Sequence, residues 1–422
     1  MVLKFLVDLL SQASILVALF TMVGLILLKK PINEIIAGSM KSLIGFILLG
    51  AGATVITTSL APFGNMVEVA FNVQGVVPNN EAIVSLALTK YGTQVSMVMI
   101  LSMIFHIIIA KFSPLKFIFL TGHHIFYMGV MITVILAVAG LSGVTLIIAA
   151  SLINALAMSI SPLLSYWAMP KVIGDSTSQV ALGHFSNVTY SISALIGKIV
   201  GGNSPSVEDL KLPKGLSFMR DNILAIALTM SIIYIIVAIA AGSAYIEKEL
   251  SNGQNYLVFA LIQGVTFAAG VSVVLSGVRM ILGEIIPAFK GISEKIVPNA
   301  IPALDCPVVF PYAPNAVLIG FITSFIGGLV GLAILGAVGG VLIIPGVVPH
   351  FFVGATAGVF GNATGGRRGC IIGSFINGLL LAFLPIILLP ILGDLGFQNT
   401  TFSDADFVAV GGIIGFITSL IK

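Results

Sequence analysis

A single carboxylate, Asp305, lies in the apolar stretch NAIPALDCPVVFPYAPNAVLIGF, residues 299–321. Prolines at positions 302, 307, 311 and 314 surround it. Each proline lacks a backbone N–H and prevents regular helix, so the stretch is predicted to be unwound and to present the carboxylate to a cavity. A carboxylate costs several kcal/mol in an apolar environment, which favours a binding function for Asp305. The alternatives are that it caps the helix entered at 314 or pairs with a lysine.

The histidines are the second candidate group. His123 and His124 follow Thr-Gly at the tip of an interrupted apolar run, and His184 lies in the segment GHFSN. A neutral imidazole both donates and accepts hydrogen bonds, which suits a hydroxylated ligand. We expect one of the two adjacent histidines to face the cavity and the other to pack. For His184, the alternative is a solvated loop residue.

The composition indicates which environment these residues occupy. The chain has 422 residues, of which 58% are hydrophobic and 8% charged, against roughly 25% charged in soluble proteins. Apolar runs long enough to cross a bilayer, about 17 to 25 residues, recur along its whole length. We therefore predict an all-α polytopic membrane protein. The eleven predicted spans are 12–28, 42–60, 92–110, 125–140, 143–167, 222–245, 256–280, 314–335, 347–363, 371–393 and 406–421.

The distribution of positive charge predicts the orientation of these spans. With the N-terminus outside, sixteen of the 19 lysines and arginines fall on the cytoplasmic side, and only Lys4, Lys90 and Lys248 fall outside. Positive residues concentrate on the cytoplasmic side of membrane proteins. The N-terminus is therefore predicted outside and the C-terminus inside. The first apolar run lacks a convincing cleavage site and is predicted to be a retained helix.

A faint internal repeat divides the chain. Residues 61–82 resemble 285–303, and FIFLTGHHIFYMG (117–129) resembles LIIPGVVPHFFVG (342–354), at offsets between 220 and 225 residues. Five spans per half would make the second copy inverted, as in many secondary transporters. Residues 117–129 and 342–354 are too short and too interrupted to span, and they are predicted to be re-entrant hairpins lining a cavity. The predicted division is a first repeat (1–167), a cytoplasmic connection (168–221), a second repeat (222–393) and a C-terminal helix (394–422), within one membrane domain.

Several classes of function are excluded by the motifs that are missing. The sequence has no GxxxxGK[ST], HExxH or GxSxG pattern, so nucleotide hydrolysis and these hydrolase chemistries are not expected. Cys306 and Cys370 have no metal-binding spacing and indicate no disulfide framework. We predict no cofactor, no metal site and no nucleic-acid partner.

Six motifs together resemble one family. SVEDLKLP (206–213), GVRM (277–280), AFKGISEKIVP (288–298), LDC (304–306), APNAV (313–317) and LIIPGVVPHFF (342–352) are similar to the ascorbate-type enzyme IIC of the bacterial phosphotransferase system. The resemblance implies a homodimer in the bacterial inner membrane, with a scaffold (dimerisation) domain and a transport core that moves like an elevator. It also implies L-ascorbate as substrate and a phosphorylated enzyme IIB, with enzyme IIA upstream, as partner. Phosphoryl transfer would reside on enzyme IIB, so this chain is not itself expected to be an enzyme.

The resemblance also implies a substrate-binding set. Asp305, His123 and His184 match family residues that contact the substrate. Four further positions depart from the family, which has serine, threonine, glutamine and glutamine there; they are, in that order, Ala53, Asn80, Tyr127 and Phe185. These departures leave open a different sugar acid or a polyol. Two further alternatives are an ion-coupled secondary transporter on the same scaffold, with Asp305 as its ion site, and a channel or membrane scaffold, against which the interrupted segments argue.

Overall fold

The structure is a computed structural model that describes residues 12–71, 75–78, 80–175, 180–210, 222–392 and 400–421. Long helices dominate it, joined by short strands and single helical turns. The helices in chain order are α1 (Ala13–Leu27), α2 (Ile32–Phe71), α3 (Asn80–Phe112), α4 (Gly122–Val138), α5 (Gly143–Tyr166), α6 (Met169–Ile173), α7 (Asn187–Val200), α8 (Asn222–Ala241), α9 (Tyr256–Lys295), α10 (Pro314–Ala337), α11 (Ala355–Phe383), α12 (Pro385–Leu388) and α13 (Ala405–Ile421). The strands are β1 (Val77–Pro78), β2 (Phe117–Phe119), β3 (Ala181–Leu182), β4 (Ile301–Leu304) and β5 (Thr400–Thr401).

Apolar helices long enough to cross a bilayer confirm the all-α membrane class. Among the described residues, 5 helices pass by length and hydropathy, or up to 6 if a bent pair counts as one span. Four shorter apolar helices of 10–17 residues lie among them. Several predicted spans match closely: 143–167 is Gly143–Tyr166, and 314–335 is Pro314–Ala337. The total of eleven spans stays a prediction.

The helices form two packed groups. In the first, which we call the long-helix group, α2 and α9 pack on each other, and each also contacts α1 and α8. Both α2 and α9 are 40 residues long with one internal proline each, Pro62 and Pro287. The second, which we call the core group, contains α3, α4, α5, α7, α10, α11 and α13. Within it, α10 packs on α11, α7 on α11, α3 on α5 and α13 on α4. Helix-to-helix contacts between the two groups are sparse.

The short strands interlock the two halves of the chain. In one sheet, β4 from the second half lies between β2 and β3 from the first, and both pairings are parallel. On the other side, β1 from the first half pairs in parallel with β5, and the neighbouring Val76 forms a parallel bridge with Ile343. Extended segments of each half therefore pair with those of the other half: β4 lies between two strands of the first half, and residues 76–78 pair with Ile343 and β5 of the second.

Matching polar pairs occur in the two halves of the core group. Asn154 Nδ2 donates to Ser102 Oγ at 3.1 Å, and Asn377 Nδ2 donates to Ser324 Oγ at 3.1 Å. All four side chains are buried, and both pairs fall at the offset found in the sequence. Because a buried polar group is costly without a partner, each pair specifies one helix–helix register.

The two segments predicted as re-entrant hairpins each consist of an extended stretch followed by a helix. Residues 117–119 are the strand β2, which leads directly into α4 at Gly122. In the second half, Ile343 bridges to Val76, and helical turns from Val347 lead into α11. Each segment is thus an extended entry into a helix. Pairing with the other half satisfies the strand's backbone groups, and re-entry into the membrane stays a prediction.

The chain reverses direction within α11. Gly365 and Gly366 leave helical geometry, and Gly366 has a positive φ of 57°. A Cβ at Gly361 would overlap the carbonyl of Gly369, although residues eight apart in a straight helix are about 12 Å apart. The reversal separates the predicted spans 347–363 and 371–393, and glycine at its closest points lets the two backbones meet.

The predicted connection, 168–221, contributes packed structure wherever it is described. It contains α6, β3 and α7, and α7 packs against α11. Glu208, in a single turn of 3₁₀ helix, accepts the N–H groups of Asn315 (3.2 Å) and Ala316 (2.9 Å) at the start of α10. The second half ends with the same order of elements. The strand β5 pairs in parallel with a strand of the other half, as β3 does, and the helix α13 follows β5 as α7 follows β3.

Candidate functional site

A cavity of about 660 Å³ lies between the long-helix group and the core group. One wall is a face of α2 that carries Thr54, Asn65 and Glu68. The opposite wall is made by the ends of strands and the starts of helices in the core group. The other polar side chains that line it are Asn80, His123, His124, Tyr127, His184, Asp305, Ser403 and Asp404.

Asp305 follows β4 and starts a 3₁₀ helix, Cys306–Tyr312. The prolines exclude α-helix here, which confirms the predicted unwound connection. Asp305 Oδ1 accepts the N–H of Cys306 at 2.7 Å, so the carboxylate does cap a helix, though not the one at 314. Its Oδ2 lies 3.5 Å from His123 Nε2, at the cavity. In the described part of the chain, no lysine or arginine lies within 4.0 Å of this carboxylate.

His184 is buried in the loop between β3 and α7, so the alternative of a solvated loop residue is wrong. Its Nδ1 is hydrogen-bonded to the hydroxyl of Tyr190 at 2.9 Å. Its Nε2 lies 3.9 Å from Asp305 Oδ1 and 3.9 Å from Asp404 Oδ1. The ring is thus held from behind, and its other nitrogen faces two carboxylates.

Both histidines at the start of α4 line the cavity, which corrects the expectation that only one would face it. The His123 side chain is 43% exposed, whereas His124 is buried. The ring centroid of His124 lies 3.9 Å from that of His184, and its opposite neighbour, Phe407, is nearly parallel to it at 5.9 Å. His124 Nδ1 also accepts the N–H of Phe185 at 3.4 Å. His124 is therefore packed among other rings and still lines the cavity.

The other predicted residues divide into three cases. Tyr127 and Asn80 line the cavity with Asp305, His123 and His184. Phe185 lies behind it: its ring is fully buried and stacks on Phe119 at 4.8 Å. The backbone of Ala53 lies in α2 between the lining residues Gly50 and Thr54, and its side chain falls outside the described part.

Asp404 is a cavity residue that the sequence reasoning missed. It lies between β5 and α13 and is buried. Its Oδ2 accepts from Asn80 Nδ2 at 2.6 Å and from Ser403 Oγ at 2.8 Å, and its Oδ1 accepts from Ser186 Oγ at 2.9 Å. The sequence did contain a signal for it, since the stretch FSDADF places acids at the start of an apolar span. An acid at membrane depth indicates a functional residue, as it does for Asp305.

Asp406, two residues later, acts as a structural support. Its carboxylate accepts from Ser161 Oγ at 2.5 Å and from the N–H groups of Asn187 (3.2 Å) and Val188 (3.0 Å). It therefore caps the N-terminus of α7, where a negative charge is favoured by the helix dipole. This cap ties the C-terminal helix to the loop that carries His184.

The remaining two histidines are satisfied inside the protein. His106 Nδ1 pairs with Ser159 Oγ at 2.8 Å, and its Nε2 accepts the N–H of Phe119 at 3.0 Å. His350 Nδ1 pairs with Ser324 Oγ at 2.9 Å. Neither lines the main cavity.

The chemistry of the cavity suits a compact, polyhydroxylated ligand. Carboxylates accept hydrogen bonds from hydroxyl groups, imidazoles donate or accept them, and the apolar wall excludes water from the ligand's faces. A pocket of several hundred Å³ with a few convergent polar groups is typical of small-molecule sites.

The comparisons with known proteins give the family. A family model described as the PTS system sugar-specific permease component, EIIC-GAT, matches residues 8–406. A curated relative from Mycoplasma pneumoniae, the "Ascorbate-specific PTS system EIIC component", is 24% identical over 433 residues. That alignment covers 90% of this chain and 64% of the relative, so the chain spans less than two thirds of the relative's length. Because the family model covers nearly the whole chain, this protein belongs to the sugar-specific permease components of PTS systems.

Proposed function

We propose that this protein carries L-ascorbate, or a closely related sugar acid, across the bacterial cell membrane to a partner enzyme IIB that phosphorylates it. The supporting observation is the cluster of His123, His184 and Asp305 at the wall of a 660 Å³ cavity between two helix groups. The curated relative is named as ascorbate-specific, which agrees with this substrate class.

The substrate's functional groups would divide between the two kinds of side chain. Its hydroxyl groups would donate to Asp305 and Asp404. Its acidic oxygen would accept from the imidazole of His123, which is the most exposed of the three histidines that line the cavity. Tyr127 and Asn80 complete the polar wall. Phe185 would act from behind by holding His124, which accepts its N–H.

The two helix groups support a movement that alternates access. In this proposal the long-helix group is the scaffold that dimerises, and the core group moves against it with the sugar, as an elevator. Sparse contacts between the groups agree with sliding, since large relative motions require an interface that can be remade. The N-terminus would lie outside and the C-terminus in the cytoplasm, where phosphorylated enzyme IIB, charged by enzyme IIA, receives the sugar.

A neutral polyol is the second candidate. Asp305 and Asp404 each place a carboxylate oxygen 3.9 Å from His184 Nε2, and a further negative charge on the ligand is unfavourable near these two carboxylates. Tyr127 and Phe185, which replace glutamines of the ascorbate type, also favour a changed ligand. A neutral polyol offers hydroxyl donors to both carboxylates without adding charge.

Uptake in a defined host tests the proposal. The chain is expressed with its cognate enzymes IIB and IIA in a bacterium without its own ascorbate system, and accumulation of labelled ascorbate, sugar acids, pentitols and hexitols is measured. We expect phosphorylated ascorbate or a sugar acid to accumulate, and only when enzyme IIB is present. Accumulation of a polyol alone would select the second candidate, and unphosphorylated uptake without enzyme IIB would favour an ion-coupled transporter.

A further inference from the structure

The cavity contains imidazole and carboxylate atoms at a spacing that hydrogen bonds do not explain. His184 Nε2 lies 3.9 Å from Asp305 Oδ1 and 3.9 Å from Asp404 Oδ1, and His123 Nε2 lies 3.5 Å from Asp305 Oδ2. Hydrogen bonds between such atoms usually end near 3.2 Å. Two ligands of one tetrahedral ion, each about 2.1 Å from it, lie about 3.4 Å apart, and wider angles increase that separation.

One set of side chains meets the requirements of a metal site most fully. A ring nitrogen of His124, a ring nitrogen of His184 and a carboxylate oxygen of Asp404 lie within 4.8 Å of one another. All three residues are buried. They come from the start of α4, the β3–α7 loop and the β5–α13 loop, so only the folded chain brings them together.

Hydrogen bonds from surrounding residues orient these side chains. His184 pairs through Nδ1 with Tyr190, which leaves Nε2 facing the cluster. Asn80 and Ser403 hold Asp404 Oδ2, and Ser186 donates to Oδ1, which also lies 3.9 Å from His184 Nε2. Partners of this kind fix the ring and carboxylate orientations in metal sites, and they typically change metal affinity by 10- to 100-fold.

The charge of the cluster supports a cation. Asp305 and Asp404 are the two carboxylates beside His184, and among the described residues neither has a lysine or arginine within ion-pair distance. Buried charges in proteins are paired or coordinate metals. Imidazole nitrogen favours zinc, cobalt or nickel over magnesium and calcium, which prefer oxygen alone.

We propose that His124, His184 and Asp404, with Asp305 beside them, bind a divalent transition-metal ion of the zinc class at the floor of the cavity. An ion there occupies the groups that would receive the sugar, so ion and sugar compete. The competition rests on the proposed function, whereas the binding of the ion does not. The cavity supplies the entry path.

Titration of the purified full-length chain tests this site. After chelator treatment, the protein in detergent is titrated with Co²⁺, whose visible absorption reports nitrogen and oxygen ligation, and then with Zn²⁺. We expect about one ion per chain, displacement of Co²⁺ by Zn²⁺, and at least about a tenfold loss of affinity in His184→Ala and Asp404→Asn. Asp209→Asn, at an exposed carboxylate, is the matched control and should bind as the natural chain does.

The outcomes separate the site from the sugar proposal. Absence of a Co²⁺ band in the natural chain, or equal affinity in the natural chain, His184→Ala and Asp404→Asn, would overturn the metal site. If those variants do not fold, His124→Asn and Tyr190→Phe replace them, with the same expectation of weaker binding. Bound Zn²⁺ that ascorbate displaces supports both proposals, whereas bound Zn²⁺ that no sugar displaces supports the site and counts against the sugar assignment.

Discussion

Asn80 and Asp404 hold each other in the cavity wall although 324 residues separate them in the chain. Asn80 Nδ2 donates to Asp404 Oδ2 at 2.6 Å, and Asn80 Oδ1 accepts the N–H of Ser403 at 3.0 Å. This reciprocal pair joins the start of α3 to the strand–helix turn before α13. It therefore determines where the second carboxylate lies relative to His184.

Replacing Asn80 by alanine should weaken both the fold and the site. The change leaves Asp404 Oδ2 with Ser403 as its remaining side-chain donor, and loss of a partner for a buried charged group costs about 1–3 kcal/mol. Chemical unfolding in detergent measures the free energy of unfolding, and we expect weaker sugar binding in the same variant. Asn203→Ala, in an exposed turn, is the control. Equal stability of Asn80→Ala and Asn203→Ala would mean that the Asn80–Asp404 pair contributes nothing to the stability of the fold.

Replacing Asp305 by asparagine should abolish uptake while the protein still inserts and assembles. Asparagine retains an oxygen that can accept the Cys306 N–H, so the 3₁₀ cap is kept, while the charge and one acceptor oxygen are lost. Hydrogen bonds to charged groups are worth about 1.5–3 kcal/mol, which corresponds to about a 10- to 150-fold loss of affinity. Transport assays and size-exclusion chromatography measure the two effects. Normal uptake by this variant would remove Asp305 from the binding site.

Replacing Asp406 by alanine should lower stability more than specificity. The carboxylate caps α7 through two N–H groups and accepts from Ser161, and loss of a helix cap costs about 0.5–2 kcal/mol. We expect a lower melting temperature with the same order of preference among sugars. A changed preference at unchanged stability would instead place Asp406 in contact with the substrate.

Glu208 should make stability depend on pH. Burial raises the pKa of Glu208 above its usual value, and the N–H groups of Ala316 and Asn315 oppose that rise only in part. The folded chain therefore keeps this proton at pH values where the unfolded chain has lost it. Relative to Glu208→Gln, the natural chain should lose stability as pH rises from about 4 towards the raised pKa and level off above it. A difference that is flat or grows with pH would contradict this assignment.

The sequence predicted the helices of this fold well because the bilayer requires long apolar runs. The predicted span 143–167 is the helix Gly143–Tyr166, and the lone acid among prolines, Asp305, does face the cavity. The strand pairing of 117–119 and of Ile343 was not predicted, because short interrupted apolar runs look alike whether or not they pair as strands. Only the partner strand from the other half decides between those structures.

Asp404 shows what local patterns cannot predict. An acid just before an apolar helix is typical of a helix start, and the residue has no cavity neighbour nearby in sequence except Ser403. Its partners Asn80 and Ser186 come from the first half of the chain. Pairing of β1 with β5 brings Asn80 and Asp404 together, because Asn80 follows β1 and Asp404 follows β5. The position of the second carboxylate in the site is therefore evident only in the folded structure.

Calorimetric titration of the purified chain with L-ascorbate tests the central claim most directly. We predict saturable binding of one molecule per chain, lost in Asp305→Asn and His184→Ala and retained in Asp209→Asn, with weaker binding of neutral polyols. Ascorbate binding of equal strength in all four proteins, or no binding of any sugar acid, sugar or polyol to the natural chain, would contradict the account.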